Sequence, residues 1–255
     1  MYDFPPTSRR ALIVGALAGA AASAAPAPAA PEEPVRAIAF DGFPIFDPRS
    51  VAVAATARLG ERGAMLAAQW SAKLFGYSWL ETAAGQYRSF DLLADDALRF
   101  TADAMALPLS NEDRAALVGA YARLEIWPDV KPGLERLRHA GVRLAFLSNL
   151  GAATLEANMR RNGIAAYFEP PLSTDRVRRF KPAPEVYAMA VDAFGLPRAS
   201  IGFAAFGGWD AAGAGWFGYR TAWINRLGVT AETVGPAPAI VSRGMDGVLR
   251  LAGLG

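Results

Sequence analysis

The chain predicts an α/β fold in which a parallel sheet, covered by helices on both faces, carries an inserted all-helical cap. Three observations carry that expectation. Apolar, strand-like runs end abruptly ahead of small polar or acidic residues: Phe40 before Asp41, Leu147 before Ser148 and Asn149, and Phe206 before Trp209 and Asp210. From residue 131 onward such runs alternate with helical periodicity, the pattern of a parallel sheet sheathed on both sides. Between residues 48 and 130 no strand-like alternation is sustained, and apolar residues recur at helical spacing instead.

Residues 1–30 read as a leader that precedes the fold. Arg9 and Arg10 stand before an apolar stretch, residues 11–22, that is too short for a membrane span, and Ala22-Ser23-Ala24 or Ala27-Pro28-Ala29 offers a small-residue cleavage site. The paired arginines resemble a twin-arginine signal, which implies the Tat export machinery as a partner, a periplasmic location and no membrane attachment after signal removal. The alternative is an Ala/Pro-rich tail that is never cut.

Residues 35–47 supply the first strand and open the sheet domain. Residues 48–130 form the cap, its buried helix faces marked by Ala64, Met65, Ala67, Ala68 and Trp70, by Leu98 and Phe100, and by Leu117, Tyr121 and Leu124. The segment from Trp127 to Gly133 marks the return, since prolines and glycine end helices. The sheet domain then resumes over residues 131–255, with strands at 142–147, 201–206 and 221–224 and helices near 152–161, 181–194 and 210–217.

Ligands of open α/β sheets bind at the carboxyl ends of strands, so Asp41 is the first candidate for a nucleophile. Alone, Asp41-Gly42 reads equally well as a turn whose carboxylate bonds nearby amides. The succession strand-Asp41, strand-Ser148-Asn149, Lys181-Pro182, strand-Asp210 is more specific than any of its parts. Ser148 and Asn149 are small donors suited to an anion, or to capping the helix that follows; Asp210 after glycine has the same helix-cap alternative. Lys181 stands apart from Arg176, Arg178 and Arg179, a basic run that reads as a solvated loop.

Composition narrows the chemistry. Cysteine is absent, which removes disulfides, thiol nucleophiles and cysteine metal sites. His139 is the single histidine and suits a solvent-facing place near a helix C-terminus, so Ser/His/Asp hydrolysis is disfavoured. A net charge of +2 gives no case for nucleic acid. With 255 residues, 53% of them hydrophobic, the chain has enough material for one substantial core and a smaller satellite.

Together these segments, with Phe43, Phe46-Asp47, Tyr77-Ser78-Trp79, Val186-Tyr187 and Trp223-Ile224-Asn225-Arg226, resemble the haloacid dehalogenase superfamily, and within it the L-2-haloacid dehalogenase (type II) branch. The likeness covers nearly everything from Val35 onward. It implies a Rossmann-like core with a helical cap and the hydrolysis of small 2-haloacids to 2-hydroxy acids and halide, with no cofactor and no metal. By resemblance Asp41 would displace halide in line and form an ester. A water near Lys181 and Asp210 would then attack the ester carbonyl, and Lys181 would keep Asp41 ionised. Ser148 and Asn149 would hold the substrate carboxylate or the halide. Phe43, Phe90, Tyr187 and Trp209 correspond to pocket positions, and a homodimer through the cap is implied.

Phe43 bears on the choice of chemistry, because phosphatases of the superfamily carry a second Asp there to protonate the leaving group and bind Mg²⁺ beside the pair, whereas halide leaves without a proton. Four places depart from the branch. Pro44 replaces Gly-Thr with one residue fewer, Ser71 replaces the arginine implicated in halide binding, and Ala205 and Gly207 replace Ser and Asn. Lys73 lies two residues along the helix from Ser71 and points elsewhere. Gly42, Gly207 and Gly208 would admit a bulkier ligand or extra water. The alternatives are a hydrolase of other specificity, such as a phosphatase, and a silent binding protein that uses the cap cleft.

Overall fold

A computed structural model describes residues 33–255, so the leader expected over residues 1–30 lies outside the described residues. Six strands form one all-parallel sheet: β1 (Ala37–Phe40), β2 (Arg143–Ser148), β3 (Leu172–Ser173), β4 (Ile201–Ala205), β5 (Arg220–Ile224) and β6 (Ile240–Ser242). Their order is β3-β2-β1-β4-β5-β6, which puts β1 near the centre, with Phe40 abreast of Phe146 on β2 and Ala204 on β4. The strand order reverses between β1 and β4. In such sheets the crevice at that reversal, outside the carboxyl ends, is where ligands bind.

Side chains alternate across the sheet. Ile38, Phe40, Leu144 and Phe146 belong to one cluster with Leu134 of α5 (Val130–His139) and Val248 of α9 (Met245–Leu251). Ala37, Ala39, Ala145 and Leu147 belong to the other, with Val186 of α7 (Pro184–Phe194) and Ala211 of α8 (Gly208–Phe217). Helix α6 (Ala152–Arg161) follows β2.

Between β1 and α5 the chain builds the cap from α1 (Arg49–Leu59), α2 (Glu61–Ala83), α3 (Phe90–Ala104) and α4 (Asn111–Val118). Ser110 starts α4 with a capping box, its hydroxyl accepting from the Asp113 amide while the Asp113 carboxylate accepts from the Ser110 amide. At Gly63 a Cβ would strike the backbone of Ala55, so glycine is what lets α1 and α2 approach. Buried Trp70, Leu93, Leu98 and Leu117 join the sheet's own cluster, and residues 33–255 pack as one unit. The buried stripe is narrower than its periodicity suggests. Met65 and Phe100 face outward, and so do Ala64 and Ala68; Lys73 also points away from the sheet domain, its ammonium 3.8 Å from the Phe100 ring centre.

Other differences have local causes. Pro132 and Gly133 do not end a helix; they lie in the first turn of α5, where a missing N–H breaks no intrahelical bond, and Gly133 makes room for Met245. The helix expected over residues 181–194 begins at Pro184, because Pro182 and Pro184 bias the residues before them away from helical geometry. Lys181 is thereby left in a turn, free to point at the strand ends. His139 is the exposed last residue of α5.

Candidate active site

Asp41 takes its place from β1: its amide still donates into the sheet, to the Ala204 carbonyl at 3.0 Å, while its side chain lies beyond the strand end. One carboxylate oxygen, Oδ1, accepts from the Lys181 ammonium at 2.7 Å, and Oδ2 accepts from the Phe43 amide at 3.2 Å. Lys181 is 1% exposed, and its Nζ also donates to Asp210 Oδ2 at 2.5 Å. Asp210 Oδ1 accepts from the Tyr187 hydroxyl at 2.7 Å. Four side chains from β1, the turn before α7, α7 itself and α8 thus form one relay, Asp41–Lys181–Asp210–Tyr187. The helix-cap alternative for Asp210 does not hold, since Gly207 is the N-cap of α8 and no side chain caps it. Nor does Ser148 cap α6, whose N-cap is Gly151; its hydroxyl oxygen accepts from the Leu150 amide at 3.2 Å.

One ammonium between two buried carboxylates sets the electrostatics. Burial alone would lower Lys181, but the charges of Asp210 and Asp41 outweigh it and hold the amine above its ordinary value. Asp210 is pushed up to about 6 by its burial, against the pull of Lys181 and with the repulsion of Asp41 added. Burial, then the Asp210 charge, drives the Tyr187 phenol well above its ordinary value, so it stays a donor.

A cavity of about 330 Å³ opens between sheet and cap, and Asp41, Ser148 and Asn149 reach it from the sheet side. Asn149 accepts the Lys181 amide on Oδ1 at 3.1 Å, whereas its Nδ2 is buried with no hydrogen-bond partner among the described residues. Phe43, Ser71, Phe90 and Trp209 line the cavity as well. Tyr187 does not; it is fully buried in the opposite cluster and acts on Asp210, a positioning residue rather than a pocket wall. The expectation that Gly207 and Gly208 open the pocket is also corrected: a Cβ on Gly207 would lie 2.7 Å from the Trp209 indole nitrogen, and one on Gly208 would lie 2.9 Å from Glu232. Those side chains already occupy the space. Among the described residues no three His, Cys, Asp or Glu side chains converge in a way that could hold a metal ion.

Several lining residues carry no sequence motif. Arg49 borders the cavity but is tied to Asp47, with Nε and Nη2 donating to Oδ2 at 2.9 and 2.6 Å; Phe75 and Leu227 line it too. The sequence-adjacent Asp47-Pro48-Arg49 was the available signal for the first. Leu227 lies in a loop after β5, and nothing local marks it.

A family model for haloacid dehalogenase-like hydrolases matches residues 25–214. The chain belongs to this family. Among the relatives of this haloacid dehalogenase-like hydrolase, a haloacetate dehalogenase H-2 from Moraxella sp. (strain B) is 34% identical over 218 residues, 85% of this chain and 97% of the relative. An (S)-2-haloacid dehalogenase from Pseudomonas sp. (strain YL) is 37% identical over 205 residues, covering 80% of this chain and 88% of that one. The solved L-2-haloacid dehalogenase from Xanthobacter autotrophicus with chloropropionic acid covalently bound superposes with a TM-score of 0.79 at 29% identity, over 85% of this chain and 98% of its own. These likenesses place the hydrolase in the L-2-haloacid dehalogenase branch.

Proposed function

We propose that the protein is a hydrolase of carbon–halide bonds that converts small 2-haloacids to 2-hydroxy acids and halide through an ester on Asp41. The observation that carries this reading is the Asp41 carboxylate itself, at the cavity, clamped by Lys181 on one oxygen and by a single amide on the other. In-line attack by a carboxylate oxygen on the halogen-bearing carbon forms the C–O bond as the carbon–halide bond breaks, with inversion at that carbon. Water then adds to the Asp41 carbonyl carbon and the ester collapses. The product keeps the oxygen Asp41 supplied and takes one proton of the water on it as its hydroxyl, Asp41 gains the water's oxygen, and the second proton is released toward Asp210. Ser148 and Asn149 border the cavity and are its small polar groups for the substrate carboxylate or the departing halide. At the position where a phosphatase of this fold carries its general acid stands Phe43, which supports halide as leaving group.

Halide release from haloacetates or (S)-2-chloropropionate without added metal tests the reaction, with Mg²⁺-dependent phosphate release as the competing outcome. In heavy-oxygen water a single turnover labels Asp41 before product. Label appearing directly in product, with Asp41 unlabelled, overturns the ester. Export through the twin-arginine pathway to the periplasm and a homodimer through the cap are further proposals. The Arg9-Arg10 leader supports the first, and the exposed Met65, Leu80 and Phe100 of the cap support the second. Cell fractionation and sedimentation test them.

A further inference from the structure

We infer that the site is built for 2-haloacids whose 2-substituent is an extended apolar chain, in preference to haloacetate or 2-chloropropionate; this rests on the dehalogenase reading above. The cavity of about 330 Å³ equals the share of on the order of ten waters at ~30 Å³ each, far more than a two- or three-carbon acid fills. Its surplus is apolar. Phe43, Phe206 and Trp209 present rings to it, and α2 presents Phe75 together with the short side chains of Ala64, Ala67, Ala68 and Ser71. Of the lining residues only Asp41 and Arg49 carry charge, and the guanidinium of Arg49 is held by Asp47.

The exposed members of the lining show where the cavity opens. Ala64 and Ala68 on α2, Leu227 from the loop after β5 and Arg49 of α1 are exposed and line the same space, so the mouth is apolar on the α2 and Leu227 sides, with Arg49, tied to Asp47, at its remaining edge. Leu227 is 48% exposed, a large apolar side chain at the edge of the cavity. A substituent attached to the carbon that Asp41 attacks therefore has an apolar path from the reacting centre toward solvent, between α2 and Leu227. Ser71 widens that path, because a long side chain at this position would project into it.

The test is kcat/KM for halide release along the series (S)-2-bromopropionate, 2-bromobutanoate, 2-bromohexanoate and 2-bromooctanoate. Burial of each added methylene is expected to raise it about fourfold, at least as far as hexanoate. Ala68→Phe and Leu227→Asp, both at exposed positions, are expected to cut the hexanoate-to-propionate ratio at least tenfold. A rate that falls beyond propionate overturns this inference and leaves the dehalogenase intact, as does a ratio unchanged in both variants. No halide from any member of the series overturns both.

Discussion

Replacing Lys181 with methionine preserves side-chain length and removes a charge that is 1% exposed and lies 2.7 and 2.5 Å from two carboxylate oxygens. At an effective dielectric of ~20, a unit pair at such separations is worth ~6 kcal/mol before desolvation is counted. Deleting one partner of a buried ion pair costs about 3–5 kcal/mol, because the other charge is left buried and unpaired. Here two are left, so at neutral pH the variant is expected to lose about 3–5 kcal/mol of a total that for most domains is only about 5–15. Halide release also fails, because the variant lacks the ammonium that holds Asp41 Oδ1 at 2.7 Å. The folded value of Lys181 lies above 10.5, so its stabilisation is complete below pH 10.5 and is lost as pH rises through the folded value. The methionine variant lacks that alkaline loss. Urea unfolding of both proteins from neutral to strongly alkaline pH, with halide release in parallel, reads all three consequences. A neutral-pH difference below ~1 kcal/mol, the worth of a surface pair, or equal alkaline losses in both proteins, would refute the reasoning.

Three further outcomes are expected. Asp41→Asn abolishes halide release while the protein still unfolds cooperatively; residual turnover with unchanged stereochemistry would move the nucleophile elsewhere. Ser71→Arg adds a cation to the cavity wall and raises release of halide from short haloacids by at least ~10-fold, within the range one well-placed donor supplies, and an unchanged rate means position 71 does not reach the reacting centre. Tyr187→Phe removes the 2.7 Å bond to Asp210 and costs about 1–2 kcal/mol. That bond lowers Asp210, so its loss raises Asp210 further above about 6 and moves the acid limb of kcat to higher pH; a limb that stays in place contradicts the relay.

The strand tips were legible because the sequence changes character there within one or two residues, at Phe40-Asp41 and again at Leu147-Ser148. Lys181 was legible from its place in the order of segments and from the prolines beside it. What stayed hidden depends on contacts far apart in the chain. Periodicity puts Tyr187 on a buried face of α7 but says nothing of where its hydroxyl points, so an aromatic expected in the pocket proves to hold Asp210 from behind. Gly207 and Gly208 read as open space until Trp209 and Glu232 are seen to fill it. Ala64 and Ala68 share the spacing of a buried stripe and yet border a cavity mouth, because the same helix faces core at Leu66 and Trp70 and empty space beside them. Strands β3 and β6, two and three residues long, and helix α9 carry too little periodicity to register.

The loop after Asp41 shows how a departure from the family pattern is accommodated. Its Phe43 amide is the donor on Asp41 Oδ2, so the loop must be held in place, and Pro44 stands where the resemblance leads one to expect a hydroxyl. Three successive carbonyls anchor it instead. The Trp127 indole donates to the Phe43 carbonyl at 3.0 Å, Arg226 donates to that of Pro44 at 2.8 and 3.2 Å, and the Trp127 amide donates to that of Ile45 at 3.1 Å. Arg226 is itself fixed by both oxygens of Asp129, at 2.7 and 2.8 Å, and the guanidinium carbons of Arg49 and Arg226 lie 4.6 and 5.0 Å from the Trp127 ring centre. Because the Arg226 side chain is only 5% exposed and its two carbonyl bonds are charge-assisted, the anchor is stronger than one neutral hydroxyl bond would be. Losing the loop hydroxyl therefore removes a donor without removing the order that keeps Asp41 aligned, and any deficit in rate falls on stabilisation of the departing charge rather than on the position of the nucleophile.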